Sequence, residues 1–151
     1  MVKKEFIIDS LAATENLAKQ IAPHINNLDV VALKGNLGTG KTTFVQFLIS
    51  SICNTNIEVL SPTFNLVGLY EYSGENIWHF DLYRLKDASE LMEIGFWDAI
   101  DNGITIIEWP EIIYDHLPEE KLTIEFKIIE NEKRSLTIWA SGKWIDVIND
   151  F

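Results

Sequence analysis

The apolar residues of this chain fall into short runs, each about the length of one strand or one helix. Residues 6–8 and 30–33 are apolar and rich in β-branched side chains, a pattern that predicts two strands. Between them, residues 11–21 carry apolar side chains at helical spacing, after the capping residue Ser10 and before Pro23, which disrupts a helix. Strands that alternate with helices are typical of an α/β protein.

The second half of the chain adds paired strands to this pattern. Alternating apolar and polar residues predict two hairpins, residues 66–72 with 76–83, and residues 122–128 with a strand around Leu136 and Ile138. A compact apolar run at 104–107 predicts a buried strand, and residues 58–60 predict a brief one. Helices are predicted at residues 41–52, 88–94, 96–100, 110–114 and 144–148. The expected architecture is a three-layer α/β fold with a mixed parallel and antiparallel central sheet, formed by residues 1–151 as a single domain.

A glycine-rich loop follows the strand at residues 30–33. Residues 35–42 spell GNLGTGKT, which fits the pattern G-x-x-x-x-G-K-[ST] of loops that wrap the phosphates of a nucleoside triphosphate. Glycines let such a loop turn tightly and aim several N–H groups at one anion. By the same motif Lys41 would reach the β- and γ-phosphates and Thr42 would bind Mg2+. A glycine-rich turn that binds nothing is the alternative, but the strand before and the helix after favour nucleotide binding.

An acidic residue ends the apolar strand at residues 104–107. Four apolar residues followed by Glu108 have the form of a Walker B strand, which lies beside the strand that precedes the phosphate loop. Its carboxylate would then contact Mg2+ directly or through water, or orient the attacking water. An ordinary acidic residue at a strand end is the alternative, and the phosphate loop favours the Walker B interpretation.

The SPTF segment at residues 61–64 lies in a loop after the brief strand predicted at 58–60. GTPase-like proteins carry at this place a switch threonine that senses the γ-phosphate, so Thr63 is a candidate switch residue. The alternative is a proline turn with a capping hydroxyl, which the segment taken alone favours.

The HFDLYR segment at residues 79–84 places polar and apolar side chains on opposite faces of a predicted strand. His79, Asp81 and Tyr83 share one face, and Phe80 and Leu82 share the other. Polar side chains on a central strand need partners or water. A functional cleft is one explanation and a solvated face of the sheet is the other.

Composition and charge limit the kinds of partner and the cellular location that we expect. The net charge of −11 argues against binding nucleic acid unaided and favours a partner with a basic surface. The apolar runs are too short to span a membrane, and the N-terminal residues do not resemble a signal peptide. The one cysteine, Cys53, suits a reducing compartment, so a cytoplasmic protein is expected.

The segments GNLGTGKTTF, SPTF, HFDLYR and EWPE, in this order and in so short a chain, resemble the TsaE family. The resemblance extends over nearly the whole chain. TsaE proteins are the P-loop ATPases of bacterial tRNA threonylcarbamoyladenosine biosynthesis. The resemblance implies ATP or ADP and Mg2+ as ligands and the proteins TsaD and TsaB as partners. In that pathway TsaD transfers a threonylcarbamoyl group to adenosine 37 of ANN-decoding tRNAs, and the family member is thought to reset the transferase. It would meet tRNA only through the complex and is expected to be a monomer by itself.

The resemblance also implies roles for individual residues. The phosphates would be held by Gly38, Thr39, Gly40, Lys41 and Thr42, with Thr43 at the α-phosphate. Lys41, Asp81 and Glu108 would be the catalytic side chains: Glu108 as the acidic partner of Mg2+ with Thr42, and Asp81 as a carboxylate that helps to organise water. Thr63 would be the switch residue and Trp109 would lie next to the nucleotide. Thr14 and Arg134 would approach the adenine, where Arg134 could stack on the base. A helix-surface threonine and a solvated hairpin arginine are the alternatives for these two.

The loop departs from the family pattern at two positions. The family often has an acidic residue where this chain has Asn36 and an alanine where it has Thr39. Neither side chain is a required phosphate donor, so phosphate binding is still expected. The missing acid does weaken any role for position 36 as a base.

Three other functions share part of this pattern. A small-molecule P-loop kinase would carry an arginine-bearing lid, and this chain has just two arginines, Arg84 and Arg134. A GTP-dependent switch would carry an Asn-Lys-x-Asp guanine-binding segment, which the sequence lacks. A nucleotide-dependent assembly subunit with incidental hydrolysis shares every motif with the ATPase, and only turnover measured with the partners separates the two.

Overall fold

The computed structural model describes residues 1–62 and 66–151. Seven strands are present among them: β1 (Val2–Ile8), β2 (Val30–Gly35), β3 (Val67–Tyr72), β4 (Glu75–Asp81), β5 (Ile104–Glu108), β6 (Leu122–Glu130) and β7 (Lys133–Ala140). The α-helices are α1 (Leu11–Ile21), α2 (Lys41–Cys53), α3 (Phe96–Asn102) and α4 (Trp144–Asn149). Short 3-10 helices occupy Ala22–His24, Ala88–Ile94, Pro110–Ile112 and Tyr114–His116.

The seven strands form one sheet in the order β1-β7-β6-β2-β5-β4-β3. The central strands β6, β2, β5 and β4 run parallel, while β1 and β7 on one side and β3 on the other pair antiparallel. The predicted mixed sheet of an α/β fold is therefore confirmed.

Both faces of the central sheet are covered, because side chains on β2 alternate between two apolar cores. Val31 and Leu33 pack in a core that includes α1 and α2. Val30 and Ala32 pack on the opposite face with residues of α3 and of the 3-10 helices. Such two-sided burial makes three layers and explains why residues 30–33 are apolar without alternation.

One predicted strand is wrong. Residues 58–60 are not in a strand, because backbone N–H groups in and next to this segment donate to side chains of α2 instead. Gln46 Oε1 accepts from the Val59 N–H, and Ser50 Oγ accepts from the Ile57 N–H at 3.1 Å. A β-branched run suits a strand only when a neighbouring strand supplies the hydrogen bonds.

Smaller differences concern helix type and strand ends. The helices predicted at 88–94 and 110–114 are 3-10 helices, and the second of them divides in two after Ile112. Strand β4 ends at Asp81, so Tyr83 lies beyond the strand that was predicted to include it. Among the described residues, helices that are both long and apolar enough to cross a bilayer are absent.

The parallel core brings three strand ends together. Leu33 of β2 lies beside Glu108 of β5, and Glu108 lies beside Asp81 of β4. The carboxyl ends of parallel strands in an α/β sheet form the edge at which ligands bind. The glycine-rich loop between β2 and α2 begins at that same edge.

Candidate nucleotide-binding site

The glycine-rich loop has an open backbone cradle. Gly35 and Gly40 have φ angles of +141° and +104°, a region that glycine adopts without strain. A Cβ added to Gly35 would lie 2.6 Å from the Phe126 carbonyl oxygen, so glycine is also needed there for the close approach of β6. A Cβ added to Gly38 or Gly40 would meet nothing within 4 Å. The space next to these two glycines is therefore open.

Helix α2 opens towards this cradle. Gly40 is its N-cap and has no side chain to accept the first N–H groups of the helix. Those N–H groups need an acceptor, and the positive end of the helix dipole favours an anion there. The predicted phosphate-binding geometry of residues 38–43 is consistent with this arrangement, and phosphate binding itself stays a prediction.

Lys41 lies inside the loop. Its Nζ donates to the carbonyl oxygens of Gly35 and of Asn36, the second at 2.9 Å, and lies 4.4 Å from the centre of the Trp109 ring. Burial lowers the pKa of Lys41, while the negative charges of Glu108 and Asp81 act in the opposite direction. The cation is therefore held at the loop by backbone oxygens that a phosphate could replace.

Glu108 is the centre of a buried hydrogen-bonded group. Thr42 Oγ1 lies 2.9 Å from its Oε1 and 3.1 Å from its Oε2, and donates to the carboxylate. His79 Nε2 lies 2.6 Å from Oε2. The residue is only 2% exposed, so this pairing is what makes its burial tolerable. The predicted proximity of Thr42 and Glu108 is confirmed.

Asp81 lies next to Glu108 in the sheet and lines the same cavity. Its Oδ1 accepts from the Tyr83 N–H at 3.1 Å. Burial raises the pKa of Asp81, and the nearby charge of Glu108 raises it further, while the hydrogen bond from Tyr83 and the Lys41 charge lower it. Two carboxylates with different partners thus stand side by side at the strand ends.

The two explanations for the polar face of β4 can now be compared. His79 is fully buried and Asp81 is 7% exposed, so a solvated face is wrong. Phe80 and Leu82 pack in the core on the other side, as their alternation predicted. Of the two polar side chains on this face of β4, Asp81 lines the cavity and His79 lies buried behind it against Glu108.

A cavity of about 880 Å³ joins these groups. Of the predicted site residues, it is lined by residues 38–43 together with Thr14, Asp81, Glu108, Trp109 and Arg134. A volume of this size is in the range of small-molecule and cofactor sites. Thr63, the predicted switch residue, lies outside the described residues.

The far end of the cavity is formed by α1 and by the β6–β7 hairpin. Thr14 Oγ1 donates to the Ser10 carbonyl oxygen at 3.3 Å, and Arg134 Nε donates to the Thr39 carbonyl oxygen at 3.2 Å. Arg134 is therefore neither a free surface side chain nor remote from the loop. Its predicted contact with adenine, like that of Thr14, stays a prediction.

Sequence analysis missed several contributors to the cavity. The contact between His79 and Glu108 joins residues 29 positions apart, and their spacing carries no signal for it. Tyr83 packs against Trp109 with ring centres 4.7 Å apart, although it lies outside the strand. Ile8, Leu11 and Leu37 add apolar lining, and such residues resemble any other apolar position in the sequence.

Oxygen atoms make up the donor set next to the loop. Thr42 Oγ1 and the Glu108 carboxylate suit a hard cation such as Mg2+, which keeps water ligands and uses only one or two protein groups beside phosphates. Clusters of three or more His, Cys, Asp or Glu residues able to hold a metal alone are absent from the part of the chain that the structure describes. The residues present therefore fit Mg2+ bound together with a nucleotide.

Comparison with known proteins identifies the family. A family model described as "Threonylcarbamoyl adenosine biosynthesis protein TsaE" matches residues 8–136. Two relatives carry the name "tRNA threonylcarbamoyladenosine biosynthesis protein TsaE". The protein from Rickettsia typhi is 39% identical over 87% of this chain and 91% of its own length. The protein from Bacillus subtilis is 33% identical over 89% of this chain and 84% of its own.

The fold has a counterpart among solved structures. The crystal structure of YdiB from Bacillus subtilis superposes with a TM-score of 0.77 at 24% identity, covering 99% of this chain and 93% of that one. The match to the family model spans residues 8–136, a range that includes the described residues that line the cavity. This chain is a member of the TsaE family.

Proposed function

We propose that this protein binds ATP with Mg2+ and hydrolyses the β–γ phosphoanhydride bond as part of tRNA threonylcarbamoyladenosine biosynthesis. The observation that carries the proposal is the hydrogen bond from Thr42, in the first turn of α2, to Glu108. Asp81 lies beside Glu108 in the sheet. An acidic strand end joined to the phosphate-loop threonine is the arrangement that a hydrolytic P-loop site requires.

Phosphate binding is assigned to the loop and to Lys41. Lys41 Nζ now donates to carbonyl oxygens of residues 35 and 36, and phosphate oxygens would take over those bonds. Charge-assisted bonds to phosphate are stronger than bonds to neutral carbonyls. The partial desolvation of Lys41 adds to this preference, since a buried cation gains most from an anionic partner.

Hydrolysis needs a group that orients water. Bound Mg2+ neutralises charge that develops on the phosphate oxygens, and Thr42 with Glu108 would hold it. Asp81 is assigned to the water because it lines the cavity next to Glu108 and the Tyr83 N–H holds its carboxylate in place through Oδ1. Its raised pKa is in keeping with a carboxylate that can exchange a proton with water.

The biological role rests on the relatives. The two relatives that carry the threonylcarbamoyladenosine biosynthesis name align with this chain over 91% and 84% of their own lengths, so most of each protein is shared. We assign this chain to the same pathway, acting with TsaB and TsaD and resetting the transferase rather than transferring the group. A net charge of −11 is in keeping with contact to tRNA through basic partners.

The test combines this protein with TsaB, TsaD and tRNA and measures released phosphate. We expect hydrolysis of ATP that increases when the partners are added and that is lost in Glu108→Gln. Glu75→Gln is the matched control, because Glu75 is an exposed acid at the opposite end of β4 from Asp81 and does not line the cavity. Phosphate transferred to a small metabolite instead of water would indicate a kinase. Nucleotide binding with no turnover in the complete mixture would contradict hydrolysis and leave an assembly subunit.

A further inference from the structure

His79 is a buried polar side chain that the proposed chemistry does not yet use. It lies in β4 with no exposed surface, and its Nε2 is 2.6 Å from Glu108 Oε2. Its other ring nitrogen, Nδ1, is buried and has no hydrogen-bond partner within the described ranges 1–62 and 66–151. The bond to Glu108 is therefore the interaction that a role for this histidine must involve.

The geometry decides which atom carries the proton. A carboxylate can only accept hydrogen bonds, so the Nε2–H of His79 donates to Glu108. This N–H places a donor directly on the carboxylate, with 2.6 Å between Nε2 and Oε2.

We propose that His79 is a positioning residue that holds the Glu108 carboxylate in the orientation required at the phosphate loop. The Glu108 carboxylate accepts hydrogen bonds from two different elements, from His79 Nε2 of β4 and from Thr42 Oγ1 of α2. Together these two donors fix the orientation of its plane. Thr42 has one hydroxyl proton to donate and keeps lone pairs for a cation, so the second donor must come from elsewhere. The inference rests on the proposed function, because it assigns Glu108 to the cation.

The consequence of losing His79 is specific. Among the described residues, Thr42 would remain as the side-chain donor to Glu108, and rotation of the carboxylate about its last torsion would be less constrained. Some residues do not bind the metal themselves but hydrogen-bond to a side chain that does. Removing such a residue lowers metal affinity or turnover by about 10- to 100-fold. Among the described residues, His79 bonds to Glu108 and does not line the cavity, so binding of nucleotide without the metal is not expected to change.

The experiment uses the full chain and four variants. His79→Leu removes the donor at similar volume, and His79→Gln restores a donor close to the position of Nε2. Thr105→Val is the control, because Thr105 is equally buried in the adjacent strand and its hydroxyl makes no bond within the described residues. Glu108→Gln tests the carboxylate itself.

The primary measurement is calorimetric binding of ADP with and without Mg2+. We expect His79→Leu to keep the wild-type ADP affinity in the absence of Mg2+ and to require about 10- to 100-fold more Mg2+ for the gain in affinity that the metal provides. ATP turnover should show the same shift in Mg2+ dependence. His79→Gln should recover most of it, and Thr105→Val should match the wild type.

A double-mutant cycle separates positioning from general stability. If His79 acts through Glu108, His79→Leu adds little further effect in the Glu108→Gln background. Equal effects in both backgrounds would overturn the inference. Should His79→Leu not fold, His79→Gln is compared with His79→Asn, whose shorter side chain leaves its amide short of Oε2; equal Mg2+ dependence in those two overturns it as well.

The failure of this inference is distinguishable from that of the proposed function. Wild-type Mg2+ dependence in His79→Leu together with a defect in Glu108→Gln overturns the role of His79 alone. Wild-type Mg2+ dependence and turnover in Glu108→Gln overturn both, because the carboxylate would then not serve the cation.

Discussion

The two ends of the cavity are built from different kinds of interaction. At the phosphate end, Lys41, Asp81 and Glu108 are nearly excluded from solvent, and parallel strands or α2 hold each of them. At the far end, Thr14 and Arg134 are half-buried, and each reaches the cavity from a surface element. Buried charges depend strongly on their partners, whereas half-exposed polar groups can exchange theirs for water.

This contrast indicates which end of the cavity tolerates amino-acid substitutions. Removing one buried partner at the phosphate end leaves another charge unpaired in a region with little water, and the penalty is large. Removing a side chain at the far end exposes a carbonyl that water can reach. We therefore expect mutational effects to fall steeply from Lys41 to Thr14.

The largest effect is expected for Lys41→Ala. Lys41 is the one lysine among the described residues that line the cavity. Loss of a charged group that would contact phosphate is expected to lower affinity or turnover by about 100-fold or more. Calorimetry with ATP and ADP measures this directly. Lys34→Ala is the control, because Lys34 lies on β2, stacks over Tyr114 at 3.9 Å and does not line the cavity. Equal affinity in the two variants would refute the assignment.

Glu108→Gln tests the acid next to the loop. We expect turnover to fall by about 100-fold while ADP affinity without Mg2+ changes much less, since the residue acts on the metal and on the reacting group. Steady-state phosphate release and calorimetry on the same preparation separate the two. A variant that binds poorly but turns over normally would mean that Glu108 serves nucleotide binding rather than hydrolysis.

Asp81→Asn is expected to raise the stability of the folded protein at pH 7. Because burial raises the pKa of Asp81 in the folded protein, ionisation costs folding free energy. The cost is absent below the unfolded-state pKa of about 3.9 and grows as the pH rises from there to the folded-state value. Asparagine has no charge and keeps an oxygen for the Tyr83 N–H. Its thermal midpoint should therefore exceed that of the wild type at pH 7.

The pH series supplies the check for Asp81. Thermal midpoints of both proteins are measured from pH 7 down to pH 4, and the difference should shrink as the pH falls. A difference that stays constant with pH would show that the stabilisation does not come from the Asp81 charge. Asp98→Asn, at an exposed position of α3, is the control and should have no such trend.

A smaller effect is expected for Arg134→Ala. Stacking of a guanidinium on an aromatic ring contributes about 1 kcal/mol at a partly exposed site, which corresponds to about a 5-fold loss of ADP affinity. Arg134→Lys should recover little of it, because lysine lacks the planar group. An unchanged affinity for ADP would assign Arg134 to the backbone carbonyls that it already binds, those of Thr39, Asn131 and Lys133.

Thr14→Val should have the smallest effect. The Thr14 hydroxyl is already bonded to the Ser10 carbonyl within α1, so valine removes one half-exposed bond and keeps the shape. We expect ADP affinity within about 2-fold of the wild type, as for most surface substitutions. A loss as large as that for Arg134→Ala would place Thr14 in direct contact with the nucleotide and would break the contrast between the two ends.

The sequence predicted those parts of the molecule whose interactions are local. The loop at residues 35–42 could be recognised because its glycines, lysine and threonine are contiguous and act together. The strand at residues 104–107 was recognisable because burial on both faces demands a continuous apolar run. Residues 58–60 were mistaken for a strand because local composition cannot reveal that Gln46 and Ser50 take their backbone bonds.

The cooperation of the site residues depended on tertiary structure. Thr42 and Glu108 are 66 positions apart, Arg134 and the Thr39 carbonyl are 95 apart, and each pair meets only because β2 lies between β6 and β5. The same holds for His79, whose bond to Glu108 requires β4 to lie parallel to β5 in one register. A shift of one residue along β4 would turn its side chain to the opposite face.

The sequence by itself therefore determined the phosphate loop, the apolar strands and the family of this protein, since contiguous residues carry all three. The folded chain alone decided that Glu108 is held between a threonine and a histidine, and that Asp81 stands beside it. The physical reason is that strand order and register arise from the packing of the whole sheet between two apolar cores, and no short segment contains that information.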